Sequence, residues 1–517
     1  MNSHKGPANH MSPWVYGIAL FNILLHFTFY NILSFHRDEL LYFSLGQHLS
    51  AGYASVPPFI GFMAWLMINT MGYSLLACRI LPILFGGIMV WLVAAIAKEL
   101  KGKQYAQIIA SIAFVVTPFN LRTFMLYMPV FFDCFFWTMI LYLALRWINT
   151  RSDKWLLFLG LAAGLGMLNK YLIAVELLAV IIAFALSGYR NIFTRKYFWI
   201  AILLALIIFL PNLIWQLKNN LPVLIHMRAL NDIQLVHVNR FAFFSDQIFI
   251  ATMAALLAIP GILYFSISGK VKEYRPLMLA SLLSFLIIAL LRGKSYYTIG
   301  LFPFWIAAGG VFWETRLKGI AFRILLPASL VLLTIPILPM GIPVYNAPKL
   351  ADYFKGAKQA TGFDQELRWE TGKIHSLPQD YADMLGWDEL AGITSNAYAM
   401  VSDKKACMIY ADNYGQAGAV MVLGKKYNLP EPVCFSESFF YWLPRNPQTE
   451  IKTLIYINDE LSQDVHDLFA DCQLIGRIEN KYAREYGTGV WLCTNPHSGF
   501  NELWKQRILQ VTNPFYH

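Results

Sequence analysis

Apolar runs separated by short polar breaks recur over the first two thirds of the chain, at roughly 13–35, 74–97, 104–117, 130–148, 155–169, 171–188, 197–217, 245–267, 276–291, 296–313 and 320–340. A helix needs about 20 mostly apolar residues to cross the hydrocarbon of a bilayer, where it can satisfy its own backbone hydrogen bonds. With 57% hydrophobic and only 14% charged residues, against about 25% charged in ordinary soluble domains, the chain reads as a polytopic α-helical membrane protein with about eleven spans. A formal net charge of +10 raises a nucleic-acid reading, but the basic residues lie in small groups between apolar runs and form no continuous patch with interleaved aromatics. The polar first 13 residues lead into a run with no small-residue cleavage site after it, so the first run is expected to be an uncleaved helix.

Threading the runs alternately gives a topology. With a cytoplasmic N-terminus, one side holds Lys98, Lys101, Lys103, Arg146, Arg151, Lys154, Arg190, Arg195, Lys196, Lys270, Lys272, Arg275, Arg316 and Lys318. The other side holds fewer cations, chiefly Arg37, Arg122, Lys218, Arg228, Arg240, Arg292 and Lys294. The positive-inside rule therefore supports a cytoplasmic N-terminus with everything after about residue 341 extracytoplasmic or periplasmic, and the expected location is the cell (inner) membrane.

The stretch His36-Arg37-Asp38-Glu39 follows the first span directly, so its charges belong at or outside the external surface. From 40 to 49 the apolar residues Leu41, Leu45 and Leu49 recur every four positions, as in a helix lying in the interface, and Pro57-Pro58 opens a second apolar stretch ending at Met71-Gly72. From about 345 charged residues become frequent. β-rich runs such as 406–410 and 453–457 alternate there with helix-like stretches at 387–402 and 461–472, which predicts a compact α/β domain. The expected division is a transmembrane catalytic domain over 1–344 and an extracytoplasmic α/β domain over 345–517. Of the six cysteines, Cys407, Cys434, Cys472 and Cys493 lie in the second part, where one or two disulfides or free buried thiols are both open; no CxxC or Cys/His cluster marks a zinc site.

Several residues stand out chemically. Asp38 can cap an interfacial helix with Glu39 at its positive end, or Asp38 can be the base that transfer to a hydroxyl needs. Asp133 lies in an aromatic stretch where an unpaired charge is costly, so it is either functional or paired with a base such as Arg122. Lys170 interrupts an apolar tract and either snorkels to the interface or meets an anionic phosphate. Arg292-Gly293-Lys294-Ser295-Tyr296-Tyr297 sets cations beside paired tyrosines, suited to a phosphate with a sugar stacked nearby or to an interfacial belt. His226, Arg228, His237 and Arg240 fall in an external loop, and the histidine spacing matches no metal motif. No motif supports a cofactor or a divalent metal.

Arg37-Asp38-Glu39 with Tyr42, then Gly52-Tyr53, Pro57-Pro58, Gly72-Tyr73-Ser74 and Arg79, resemble the bacterial branch of the dolichyl-phosphate-mannose protein mannosyltransferase family, which includes the aminoarabinose and galacturonic acid transferases of lipopolysaccharide. Asp133, Gly164 to Lys170, and Lys294-Ser295-Tyr296-Tyr297 with Pro303 match further positions, as do Leu377-Pro378-Gln379, Ala382-Asp383, Gly386-Trp387 and Asn413 to Ala419. The resemblance implies a GT-C fold and an inverting transfer of sugar from a polyprenyl-phosphate donor to a lipid, glycan or protein acceptor at the bilayer, with no nucleic-acid partner. It implies Asp38 as catalytic carboxylate, Glu39 as its supporting neighbour, Asp133 as a second acidic site residue, and Lys170 and Lys294 as partners of the donor phosphate. Arg37, Tyr42, Tyr53, Pro57, Pro58, Arg122, His226, Arg228, Tyr296 and Tyr297 are the other expected substrate-binding positions. Members that modify lipid A with aminoarabinose carry an acidic residue and a lysine just before the Pro-Pro pair; Ser55-Val56 stand here, so sugar and acceptor stay open. A lipid-linked sugar transporter or flippase and a non-catalytic envelope scaffold are the alternatives. Transporters often show repeated halves with broken helices, and none is seen. The acidic stretch with Asp380, Asp383, Asp388 and Glu389 is expected to be a solvated face and helix start.

Overall fold

The computed structural model describes residues 10–233, 240–362, 364–444 and 450–512. Each apolar run expected from the sequence contains a helix. Leu75–Glu99, Pro129–Thr150, Lys196–Lys218, Phe243–Ile267, Gly269–Leu290 and Ile320–Gly341 are long and apolar enough to cross a membrane, and Pro13–Phe29, Gln104–Val115, Lys154–Asn169 and Ile173–Ala185 are shorter apolar helices. The protein is a multi-pass membrane protein with a small C-terminal sheet. Its residues group into two compact units. One holds the residues up to Tyr30, Arg79–Ile214 and Arg228–Ile342, and the other Asn31–Cys78, Trp215–Met227 and Pro343–His517.

In the first unit the helices approach closely where side chains are small. A Cβ on Gly309, in helix Phe302–Arg316, would collide with the Leu257 carbonyl of helix Ala255–Ile267, so glycine permits a contact that a larger residue would push apart. Outward faces are apolar: Trp199, Leu203, Leu206 and Leu210 are exposed on one helix, and Ile320, Phe322, Leu325 and Leu332 on another. Such surface suits lipid and would be an aggregation liability in water. At one end of this unit the basic loops meet. Arg146 pairs with Glu99 at 2.7 Å, the Arg151 guanidinium lies 4.3 Å over the Tyr189 ring, the Tyr189 hydroxyl donates to the Glu273 carbonyl at 3.1 Å, and the Lys103 backbone N–H donates to Glu314 at 2.6 Å.

The second unit contains a four-stranded sheet of β1 (Cys407–Ala411), β2 (Thr453–Asn458), β3 (Phe469–Arg477) and β4 (Gly489–Pro496) in the order β1-β2-β4-β3. β1 runs parallel to β2, while β4 is antiparallel to both β2 and β3. Apolar residues of the strands, among them Met408, Leu454, Tyr456 and Trp491, pack with Phe500, Trp504 and Ile508 of the last helix. The two β-rich runs expected from the sequence are β1 and β2, and the stretch at 387–402 contains helix Trp387–Ala399.

The expected helix over 461–472 is corrected. Only Gln463–His466 is helical, and β3 begins at Phe469. Leu461, Val465, Leu468 and Cys472 have helical spacing, but they reach the core from a turn and a strand, because β4 offers Phe469–Arg477 a backbone partner. Cys472 and Cys493 are register partners across β3 and β4 and form a disulfide, while Cys407 and Cys434 are free.

Residues 31–78 pack in the same unit as the sheet. Helix Arg37–Leu45 lies against helix Tyr414–Val422, where a Cβ on Gly418 would sit 2.8 Å from Leu40 Cβ and one on Gly415 2.8 Å from Arg37 Cγ. Helix Phe59–Met71 starts directly after Pro57-Pro58 and stops at Gly72, whose φ of +74° is readily adopted only by glycine.

Candidate active site

His36 to Glu39 form a reciprocal cap. The Asp38 N–H donates to His36 Nδ1 at 3.0 Å, and the His36 N–H donates to Glu39 Oε2 at 2.8 Å. Glu39 is fully buried in this role, and capping residues of this kind contribute about 1 kcal/mol to a helix. Glu39 thereby fixes the first turn from which Asp38 projects.

Asp38 Oδ1 accepts a 2.8 Å hydrogen bond from the Tyr414 hydroxyl. Tyr414 is the first residue of its helix, whose start is set by Asn413: the Asn413 side-chain oxygen accepts from the Gly415 and Gln416 N–H groups at 3.0 and 3.2 Å. Burial, followed by the negative charge of Asp38, pushes the Tyr414 phenol well above its ordinary range, so it stays a proton donor. The Arg37 guanidinium lies 4.3 Å over the same ring.

Behind this pair sits Asp383. Its carbonyl accepts from the Arg37 N–H at 2.9 Å and from the Trp387 indole at 2.7 Å. Its carboxylate is buried, 3.2 Å from Arg484 and 3.9 Å from His36 Nε2. Burial raises its pKa against the opposing pull of His36 and Arg484. The expectation of a solvated acidic face is therefore corrected here. Asp388 and Glu389 do begin helix Trp387–Ala399 as expected: Asp388 is exposed and meets Lys426 and the Ser34 hydroxyl, and Glu389 accepts from the Glu479 N–H.

A second constellation lies in the membrane-spanning unit. Asp133, in the first turns of helix Pro129–Thr150, is 3.8 Å from Lys170 and accepts from the Trp137 indole at 3.0 Å. Lys170 ends helix Lys154–Asn169, and its ammonium lies 4.3 Å over the Tyr297 ring and 5.4 Å from the Tyr296 centroid. Lys294 is close enough for its charge to act on Lys170. The base beside Asp133 is thus Lys170; the guanidinium of Arg122 hydrogen-bonds the Met340 carbonyl.

The remaining expected positions are more scattered. Tyr42 is half-buried on the Asp38 helix, and Pro57 and Pro58 start the next one. The Tyr53 hydroxyl is 3.1 Å from the Leu45 carbonyl and 3.2 Å from that of His48, and it accepts from the Ser50 N–H at 3.3 Å; burial pushes its pKa up to about 12. His226 and an exposed Arg228 share helix Pro222–Ile233, while His237 and the side chain of Arg240 lie outside the described residues. Sequence reasoning gave no catalytic role to Tyr414, Arg484 or Glu437. Tyr414 had one advance signal, the Asn413-Tyr414-Gly415 stretch, a polar turn between a strand and a glycine-containing helix; Arg484 and Glu437 had none.

Residues 55–215 match the family model described as dolichyl-phosphate-mannose-protein mannosyltransferase. No curated protein matches the chain by sequence. Among solved structures, ArnT from Cupriavidus metallidurans bound to undecaprenyl phosphate superposes with a TM-score of 0.63 at 12% identity, over 93% of this chain and 98% of that one. The same protein in its apo state gives 0.61 at 12% identity, over 93% and 97%. The arabinofuranosyltransferase AftD from Mycobacteria gives 0.51 at 13% identity, over 94% of this chain and 40% of that one. At these identities the structures establish the fold, and the likeness to the family model is confined to residues 55–215. The chain shares the ArnT fold almost end to end.

Proposed function

We propose that the protein is a membrane glycosyltransferase of the GT-C type, that it moves a sugar from a polyprenyl-phosphate donor to an envelope acceptor on the external face of the inner membrane, with inversion, and that Asp38 is its catalytic carboxylate. The observation that carries the reading is the orientation of Asp38, half-buried on a capped first turn with Tyr414 hydrogen-bonded to one oxygen at 2.8 Å. A base held this way is ready to accept a proton without first reorganising.

In the proposed step the acceptor hydroxyl gives its proton to Asp38 as its oxygen bonds to the anomeric carbon. The bond from that carbon to the phosphate oxygen breaks, and polyprenyl phosphate leaves with the electron pair. Lys170 and Lys294 are assigned to the negative charge gathering on the phosphate, Tyr296 and Tyr297 to the sugar face, and Asp133 to holding Lys170. A lipid-linked phosphate is consistent with the undecaprenyl phosphate described for ArnT.

Two observations support the orientation. Basic loops gather at one end of the membrane-spanning unit, as a cytoplasmic face would require. The disulfide between Cys472 and Cys493 suits an oxidising compartment. The proposal keeps 1–344 as the catalytic membrane domain and 345–517 as the extracytoplasmic one.

The test is sugar release from radiolabelled polyprenyl-phosphate hexoses and pentoses by the purified protein in lipid, with envelope extract as acceptor. Wild type should consume one donor and Asp38→Asn should not; equal consumption by both would remove Asp38 from the chemistry.

A further inference from the structure

Three observations converge on Glu437. Its Oε2 is buried and has no hydrogen-bond partner among the described residues. Its backbone has a φ of +55°, a conformation costly for a residue with a side chain and one that clusters at functional sites. The charges of Asp38 and Arg37 both act on its carboxylate, which the Ser55 hydroxyl hydrogen-bonds.

The surrounding turn is pinned on both sides. The Ala54 N–H donates to the Ser438 hydroxyl at 3.0 Å, Trp442 stacks on His48 at 4.2 Å, and Tyr441 packs edge-on against Trp215 at 5.6 Å. The second unit therefore holds a carboxylate beside Asp38 while leaving one of its oxygens unsatisfied, an arrangement that costs the fold the desolvation of that oxygen. Arg37 Nε is likewise buried without a partner.

One open acceptor and one open donor in the same cluster suit a hydroxyl, which both donates and accepts. A phosphate offers only acceptors and would meet the negative charges of Asp38 and Glu437. An ammonium offers only donors and would be repelled by Arg37. Asp383 does not alter this balance, because Arg484 meets its carboxylate at 3.2 Å.

We propose that Glu437 and Arg37 form an acceptor-recognition subsite beside Asp38, which takes a neutral polyhydroxylated acceptor and discriminates against phosphorylated ones. The proposal rests on the reading of Asp38 as the base. One hydroxyl of the acceptor gives its proton to Asp38, while a neighbouring hydroxyl donates to Glu437 and accepts from Arg37. Glu437 undergoes no covalent change and sets specificity.

The experiment supplies full-length protein in lipid nanodiscs with radiolabelled polyprenyl-phosphate sugars, and compares label transfer to dodecyl maltoside, a neutral polyol, with transfer to dodecyl phosphate. Wild type, Glu437→Gln and Glu437→Ala are measured, each checked for an intact melting transition; the near-isosteric Gln variant decides if Ala does not fold. Wild type is expected to prefer the maltoside, and the maltoside-to-phosphate ratio is expected to fall tenfold or more in the variants. A wild type that prefers the phosphate, or variants that leave the ratio unchanged or lose both transfers equally, overturn the subsite while Asp38 stands. Failure of wild type to consume any donor overturns both readings together.

Discussion

The Tyr414 hydroxyl and the Asp38 carboxylate, 376 positions apart in sequence, are joined by a 2.8 Å hydrogen bond. The phenol is held protonated by burial and by the charge it faces, so the bond is charge-assisted. A hydrogen bond to a charged group contributes roughly 1.5–3 kcal/mol. Tyr414→Phe keeps the ring under Arg37 and removes only the hydroxyl. Its expected effect is a loss of at least about tenfold in kcat with the fold intact, since about 1.4 kcal/mol is tenfold in rate. A steady-state comparison at saturating donor checks this, and unchanged kcat would show that Asp38 needs no orienting partner.

Glu39 separates capping from chemistry. Glutamine can accept the His36 N–H as glutamate does, whereas alanine cannot. Glu39→Gln is expected to keep at least half of wild-type turnover, and Glu39→Ala to lose stability by about 1 kcal/mol along with most of its activity. Loss of turnover in the Gln variant without loss of stability would give the Glu39 charge a direct role.

The bilayer makes part of this molecule readable in advance. A hydrocarbon slab demands apolar length, so helices fall where the apolar runs lie, and charges that break those runs, such as Asp133 and Lys170, stand out one residue at a time. The start of the Asp38 helix is legible too, but its cap is His36 and not Asp38, because the His36 ring nitrogen accepts from the Asp38 N–H and leaves the Asp38 carboxylate out of the capping role. Tyr414, Glu437 and Arg484 were not legible, since they come from a polar α/β region where such residues are ordinary and only tertiary folding brings them to Asp38 and Asp383. Asp383 was misjudged for a related reason. Its neighbours Asp380, Asp388 and Glu389 make the stretch look solvated, yet Arg484, 101 positions away, allows that one carboxylate to be buried.

Lys170 is expected to act on donor affinity more than on the fold. Its ammonium is held by Asp133 and the Tyr297 ring, a geometry that a planar guanidinium does not reproduce. Lys170→Gln should raise the donor KM about tenfold or more, with Lys170→Arg rescuing only part of the loss. Titration of undecaprenyl phosphate into purified protein gives the same comparison without turnover. Equal affinity in wild type and Lys170→Gln would confine Lys170 to a structural ion pair.

The disulfide gives a test of compartment. Cys472 and Cys493 close a 21-residue separation, for which the chain-entropy estimate is about 3 kcal/mol. Alkylation of the denatured, unreduced protein should label Cys78, Cys134, Cys407 and Cys434 and spare the other two, with all six labelled after reduction. Six labelled cysteines without reductant would argue against an oxidising location for the C-terminal unit.

Glu437 sets substrate recognition against stability. Burial pushes its pKa up, and the Asp38 charge adds to the rise, while Ser55 and Arg37 oppose it; Tyr414, Tyr441 and Cys434 also feel its charge. With the folded pKa above the unfolded value, the folded state binds more protons between the two, so wild type loses stability as pH rises through the raised value. Glu437→Gln carries no titrating group and escapes that loss. Its melting temperature is therefore expected to exceed that of wild type at pH 8, with the gap narrowing as the pH falls towards 5. Differential scanning fluorimetry on both proteins across that range measures it, and a gap independent of pH would mean that the carboxylate is as comfortable in the fold as in the unfolded chain.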